Sequence, residues 1–206
     1  MKNPNHPKKG SQIFVSPLTN KRLIKEIKKH LEDKPRDLCL FVMGINTALR
    51  ASDLLRLKIL DVQCLAVGDV LRVHEKKTKK LRNITVNRAV REVVDIWLDD
   101  YMKRDNYNES GWLFPSQRAD HLTVMALNRM VKRWGGVAHV ATGISQGNIN
   151  YGSHTLRKTF AYHLRMSGVA IPILMEILNH KSQATTLRYL GIQSKEIADV
   201  YEGLNL

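Results

Sequence analysis

VLRVHEKKTKKLRNITV, Val70 to Val86, is the stretch that decides the fold, because here the chain stops reading as helix. Val70, Leu71, Arg72 and Val73 are β-like, and Leu81 to Val86 places Ile84 and Val86 two residues apart on one side of an extended chain. Between them lies KKTKK, Lys76 to Lys80, too polar to pack and well suited to a turn. The pattern predicts one small antiparallel hairpin with a lysine-rich turn. Everything around it has helical spacing.

Upstream, Thr19 is placed to cap a helix with Leu23, Ile24, Ile27 and Leu31 on one face. Pro35 opens a second helix carrying Leu38, Phe41, Val42 and Ile45, and Ser52 is an N-cap for a short third one with Asp53, Leu54, Leu55 and Leu57. Downstream, Asn87 caps a long helix that turns Val90, Val93, Val94, Trp97 and Tyr101 inward. Gly111 to Ser116 reads as an irregular link, and further helices fit 123–134, 154–167, 171–178, 182–189 and 194–203. Gly135 to Gly152 then becomes a long link, of a length usually reserved for functional or mobile segments. The fold class is therefore mostly α with a small antiparallel β-sheet, an α+β arrangement without internal repeats. Residues 1–16 read as a flexible basic arm, and 17–206 as a single domain.

The chain has 206 residues, enough for one full-sized domain, and its 43% apolar content supports an ordinary core. Thirty-three Lys and Arg against nineteen Asp and Glu give a net charge of +14, which points to a polyanionic partner: nucleic acid, a heparin-like polymer or an acidic membrane. The bland alternative is a merely basic soluble protein. Aromatic residues make up only 6%, which argues against base-stacking platforms for single strands. Cys39 and Cys64 lack metal-ligand spacing and read as small buried residues of a reducing compartment. The longest apolar run, Leu38 to Ile45, is far too short for a bilayer, and no apolar segment follows the basic N-terminus, so a cytoplasmic protein without membrane contact is expected.

Three stretches combine a helix start with groups suited to a phosphate. TALRASDLLRL puts Arg50 at a helix entry with Asp53 three residues on. SHTLRKTFAYHL spaces His154 and Arg157 i, i+3, on one helix face. LNHKSQATTLRYL carries His180 nine residues before Tyr189, with Thr185 and Thr186 between. Taken singly, each has a plain structural reading: a surface arginine, a solvated polar pair beside a core face of Leu156 and Phe160, and a tyrosine half-buried at the end of an amphipathic helix.

Together they do not. The order A-L-R-x-S-D, a hairpin lysine, H-x-L-R, L-x-H and T-T-x-x-Y resembles the catalytic domain of the tyrosine recombinases, the family of phage integrases, chromosome-dimer resolvases and fimbrial-switch invertases. The likeness runs from about Leu18 to Tyr189. It implies the recombinase catalytic fold and a site-specific reaction on double-stranded DNA, in integration, excision or inversion. Tyr189 would be the nucleophile, Arg50 and Arg157 would grip the scissile phosphate, His154 would accept the phenol proton and His180 would hydrogen-bond the phosphate. Asp53 would orient the arginine-bearing helix without touching DNA. Lys77, immediately before Thr78, best matches the family's hairpin lysine and would protonate the departing 5′ oxygen. Lys76, Lys79, Lys80, Arg82 and Lys158 are expected at the DNA backbone.

The resemblance implies neither metal nor cofactor, since two guanidiniums can neutralise a phosphodiester, and no ATP, since a phosphotyrosine conserves the bond energy. Four active sites are needed, so a homotetramer on two DNA sites is implied, monomeric when free and located at the nucleoid. The helix after Tyr189, with Ile197, Val200, Tyr201 and Leu204 apolar, would pack on its own domain or on a neighbouring protomer. Asn179 stands where the family commonly has glycine, and asparagine tolerates the left-handed turn expected there. Most relatives also carry an N-terminal domain that closes around DNA. Its absence here resembles the short fimbrial-switch type and leaves room for an accessory DNA-binding protein. Two rival readings share the fold: a type IB topoisomerase-like nicking-closing enzyme, and a catalytically inactive DNA-binding regulator, against which the intact polar set speaks. An RNA-binding module finds no matching aromatic or glycine motif.

Overall fold

A computed structural model describes residues 14–191, 198 and 201–203. Within them the chain is mostly helical: α1 (Lys21–His30), α2 (Pro35–Thr47), α3 (Ala51–Leu54), a 3₁₀ turn (Ile59–Asp61), β1 (Val70–His74), β2 (Leu81–Thr85), α4 (Arg88–Tyr101), α5 (Val124–Thr142), α6 (Ser153–Met166), α7 (Ile171–Leu178) and α8 (Gln183–Leu190). The strands form a two-stranded antiparallel sheet, with Val70 opposite Thr85 and His74 opposite Leu81. Leu71, Val73 and Ile84 are its buried residues, as the alternation requires, and Val86, just past the end of β2, is buried too.

Helix α2 is the centre of the molecule. Every residue from Cys39 to Ile45 is buried, the signature of a helix packed on all sides rather than on one stripe. It packs against both α4 and α6. The α6 crossing is close because residue 44 is glycine: a Cβ there would lie 2.5 Å from Leu156 Cδ1. Helix α4 turns Val90, Val93, Val94, Trp97 and Tyr101 inward from its Asn87 cap, and the buried Trp97 indole donates to Leu113 O at 2.8 Å. A smaller core of Ala48, Ala161, Leu174, Leu178 and Leu190 joins α6, α7 and α8 to the end of α2.

Several boundaries differ from the sequence reading. The first helix is capped by Asn20, whose side chain accepts from Arg22 N, not by Thr19. Helix α3 begins after Arg50 rather than after Ser52, and Leu57 lies beyond its end although it is buried. The fifth helix does not stop at Trp134. It runs through Gly135 and Gly136 to Thr142 and ends at Gly143 in the left-handed region. Paired glycines look like a helix stop, but Gly135 serves packing: a Cβ there would meet Tyr151 Cδ2 at 2.2 Å. The long link therefore shrinks to Gly143–Gly152. Cys64 is exposed rather than buried, because in the turn after the 3₁₀ segment it is Val62 that faces the core. Phe14 to Ser16, read as part of the arm, lie against Asn150, with Ser16 N donating to its carbonyl at 2.9 Å. The helix expected over 194–203, with Ile197, Val200 and Leu204, lies largely outside the described residues; Tyr201 is exposed. Among the described residues, no helix is long and apolar enough to cross a membrane.

Candidate active site

The site is built where α2 ends. Ala48 leaves that helix in the left-handed conformation (φ 51°), which for a residue with a Cβ costs about 1–3 kcal/mol and persists only where its surroundings enforce it. Two arginines do so. Ala48 O accepts from Arg157 Nη1 at 2.7 Å and from Arg82 Nη1 at 2.9 Å, while Arg82 Nη2 donates to Thr47 O. The sharp turn delivers Arg50 to the cap position of α3.

Arg157 reaches this point because Gly44 lets α6 approach. The residue is 3% exposed, and Nη2 donates to Leu178 O at the end of α7. One guanidinium thus ties the first polar stretch to the third. Burial lowers the Arg157 pKa and the charge of nearby Arg50 adds to this, and both arginine charges reach Tyr189.

Helix α7 ends at Asn179, in the left-handed conformation (φ 49°) expected of it. His180 follows. Its Nδ1 lies 3.0 Å from Oγ1 of Thr186, a fully buried residue on α8, and its ring meets the Tyr189 ring edge-on, centroids 5.2 Å apart. Burial, then the charges of Arg157 and Arg50, push the His180 pKa down to about 4, so it is neutral near pH 7. The Tyr189 hydroxyl is sealed from solvent and lies against the Arg157 guanidinium. Burial raises its pKa to about 12, outweighing the pull of the neighbouring Arg157 and Arg50.

His154 sits on the first turn of α6, open to solvent on one side. Its partial burial and then the charges of Arg157, Lys158, Arg50 and Lys77 lower its pKa, which keeps it a proton acceptor. Lys76, Lys77, Lys79 and Lys80 are all exposed on the hairpin turn, and Lys77 is near enough for its charge to act on His154. Asp53 does not face outward: its Oδ1 accepts from Lys76 N at 3.0 Å, joining α3 to the start of that turn.

Arg50, Lys77, His154, Arg157, His180 and Tyr189, spread over the sequence, are thus brought together. Of the residues expected at the DNA backbone, one is turned into the protein and one lies beside Tyr189. Arg82 is turned inward onto the Thr47 and Ala48 carbonyls, with its side chain 10% exposed. Lys158 lies between two rings, its Nζ 3.9 Å from the Phe14 centroid and 5.3 Å from that of Tyr189.

One residue at the centre is absent from the motif reading. Glu75 has a fully buried carboxylate, 2.6 Å from Arg50 Nη1 and 3.6 Å from Arg82 Nη1. Its other oxygen accepts from Thr78 Oγ1 and Asn179 Nδ2, each at 2.6 Å. Despite burial, these partners hold its pKa down at about 2. A signal existed. Glu75 is the lone acid of the hairpin stretch, and the period-2 alternation that buries Leu71 and Val73 also turns residue 75 inward.

The sequence matches the phage integrase family over residues 16–196. The chain belongs to the phage integrase family. Among its relatives, a Bacillus subtilis protein described as the probable integrase/recombinase YoeC is 36% identical over 191 residues, which cover 92% of this chain and 96% of YoeC. Tyrosine recombinase XerA of Pyrococcus furiosus is 28% identical over 100% of this chain and 66% of its own length. For tyrosine recombinase XerC of Pseudomonas aeruginosa the figures are 27%, 81% and 51%, so this integrase-family chain spans about half to two thirds of the Xer proteins while nearly matching YoeC in length. A XerA crystal structure aligns with a TM-score of 0.72 at 23% identity, over 94% of this chain and 66% of that one. XerH bound to a palindromic difH substrate in a post-cleavage complex aligns at 0.70 and 22%, over 92% and 53%. At these identities the structures establish the shared fold, and the site rests on the residues above.

Proposed function

We propose that this integrase-family chain is a site-specific DNA recombinase that cuts and rejoins strands through a 3′-phosphotyrosine at Tyr189. The observation that carries the reading is the meeting of Arg50, Arg157, His154, His180 and Tyr189 from four separate helices or helix ends around one point. Double-stranded DNA as substrate is supported by the charge of +14 and by structural neighbours in DNA complexes.

Each residue has work matched to its surroundings. The two guanidiniums hold the non-bridging oxygens as charge builds on the phosphorus, an effect of about 3–7 kcal/mol per group by analogy with arginine fingers and oxyanion donors. With a phenol pKa near 12, Tyr189 carries no preformed phenolate. Its proton leaves to neutral His154 as the oxygen attacks. The Tyr189 oxygen–phosphorus bond forms, the phosphorus–5′ oxygen bond breaks, and Lys77 gives that oxygen a proton. The contact between His180 Nδ1 and Thr186 Oγ1 occupies one ring nitrogen and leaves Nε2 as the one that meets the phosphate. Attack by a 5′ hydroxyl from another strand reverses the step without ATP.

Four such sites on two duplexes complete an exchange, which makes a homotetramer on DNA the working assembly and the nucleoid its place. Site selection would draw on a further DNA-binding protein. A nicked suicide duplex tests the chemistry: wild-type protein should give a protease-sensitive covalent band on a denaturing gel, and Tyr189→Phe should lose the band while binding DNA nearly unchanged. Absence of the band with wild type across trapped genomic fragments would overturn the reading.

A further inference from the structure

We propose that Glu75 and Asn179 form a latch that fixes the lysine turn of the hairpin against the His180 turn, making both of them positioning residues for strand cleavage. This rests on the recombinase reading above. The latch joins residues 104 positions apart in sequence.

Glu75 Oε2 accepts from Asn179 Nδ2 and from Thr78 Oγ1, and Asn179 Nδ2 also lies 3.3 Å from Thr78 Oγ1, closing a three-cornered contact. Lys77 is directly before Thr78 and His180 directly after Asn179, so the contact holds one neighbour of each. Through Oε1 the same carboxylate pairs with Arg50. Three of the groups assembled around the phosphate are therefore referred to one buried anion. Apart from this contact the turn is tied at its start by Asp53, which accepts from Lys76 N, and by its own backbone bonds; all four of its lysines are exposed, and Lys79 sits in the left-handed region (φ 59°).

The contact fits positioning better than scaffolding. A carboxylate buried among arginines is neutralised without help from an amide, so Asn179 is not needed to keep Glu75 inside. Asn179 already occupies a conformation that glycine adopts more readily. Asn179→Gly accordingly keeps the turn, leaves the Arg50 ion pair in place and removes only the side-chain latch. Asn179→Asp instead sets two carboxylates against each other, and adding Glu75→Gln restores a donor facing an acceptor.

The experiment compares wild type, N179G, N179D and E75Q/N179D by amide hydrogen exchange and by single-turnover cleavage of a nicked suicide duplex. N179G should exchange faster at the amides of residues 76–80, cleave about 10- to 100-fold more slowly and bind the duplex as wild type does, since small displacements of reacting groups carry penalties of that order. N179D should fall further, and E75Q/N179D should regain at least part of that loss. Unchanged exchange in N179G would overturn the latch. Faster exchange with wild-type cleavage would overturn its role in positioning. An N179D chain that exchanges and cleaves as wild type does would show that the pair does not act through this contact. If N179D does not fold, N179G still decides. A wild-type chain that cleaves no duplex would remove the recombinase reading instead, and the exchange comparison would still judge the latch.

Discussion

Replacing Arg157 with lysine separates charge from geometry at the most buried cation of the site. The guanidinium donates Nη1 to Ala48 O and Nη2 to Leu178 O, so it bridges the ends of α2 and α7. An ammonium keeps the positive charge but gathers its donors at one point and cannot span both carbonyls. One charged hydrogen bond is lost, about 1.5–3 kcal/mol, and a buried carbonyl loses its donor. For a domain of this size that corresponds to a Tm lowered by roughly 5–10 °C. The loss in the transition state is larger, because the fork that would hold two phosphate oxygens is gone; about 4 kcal/mol corresponds to roughly 10³-fold in rate. Single-turnover cleavage of a suicide duplex, with DNA affinity measured in parallel, separates the two effects. Affinity should change only a few-fold while cleavage falls by three decades. A lysine variant with wild-type Tm and cleavage within tenfold of wild type would refute the proposed geometry.

Acid should weaken the fold through its histidines. His180 has a folded pKa near 4 against about 6.5 unfolded, so its contribution to stability is present in full above pH 6.5 and disappears as pH falls towards 4. Denaturant midpoints measured across that window should fall with pH, and His180→Gln should flatten part of the slope. Gly135→Ala should destabilise by about 1–3 kcal/mol, since the gain in helix propensity is outweighed by a methyl group driven into the Tyr151 ring; the check is a lower Tm.

How far the sequence could be read depended on whether a residue's task was local. The hairpin, the Pro35 start and the Asn87 cap follow from period and capping alone, and all three appear in the structure where the pattern places them. Gly135 was misread because its purpose is a contact with Tyr151, sixteen residues away, and no local pattern separates a packing glycine from a helix stop. The convergence of the site was legible only through the family's motif order. Spacing alone left Arg50 indistinguishable from a surface arginine. Charge alone places Arg82 at the DNA, yet the Thr47 and Ala48 carbonyls hold it inside, while Lys158 sits between the Phe14 and Tyr189 rings. Glu75 went unnoticed since motif reading follows cations around a phosphate, whereas the fold needs one anion to keep those cations together.

The proposed point of attachment to DNA is the Tyr189 hydroxyl oxygen. Its most direct test is to trap the covalent complex, digest both components and locate the nucleotide by mass spectrometry. The adduct should reside on the tryptic segment YLGIQSK, Tyr189 to Lys195, with fragmentation assigning it to the tyrosine. A nucleotide linked to any other residue, or an adduct that persists in Tyr189→Phe, would rule out Tyr189 as the nucleophile.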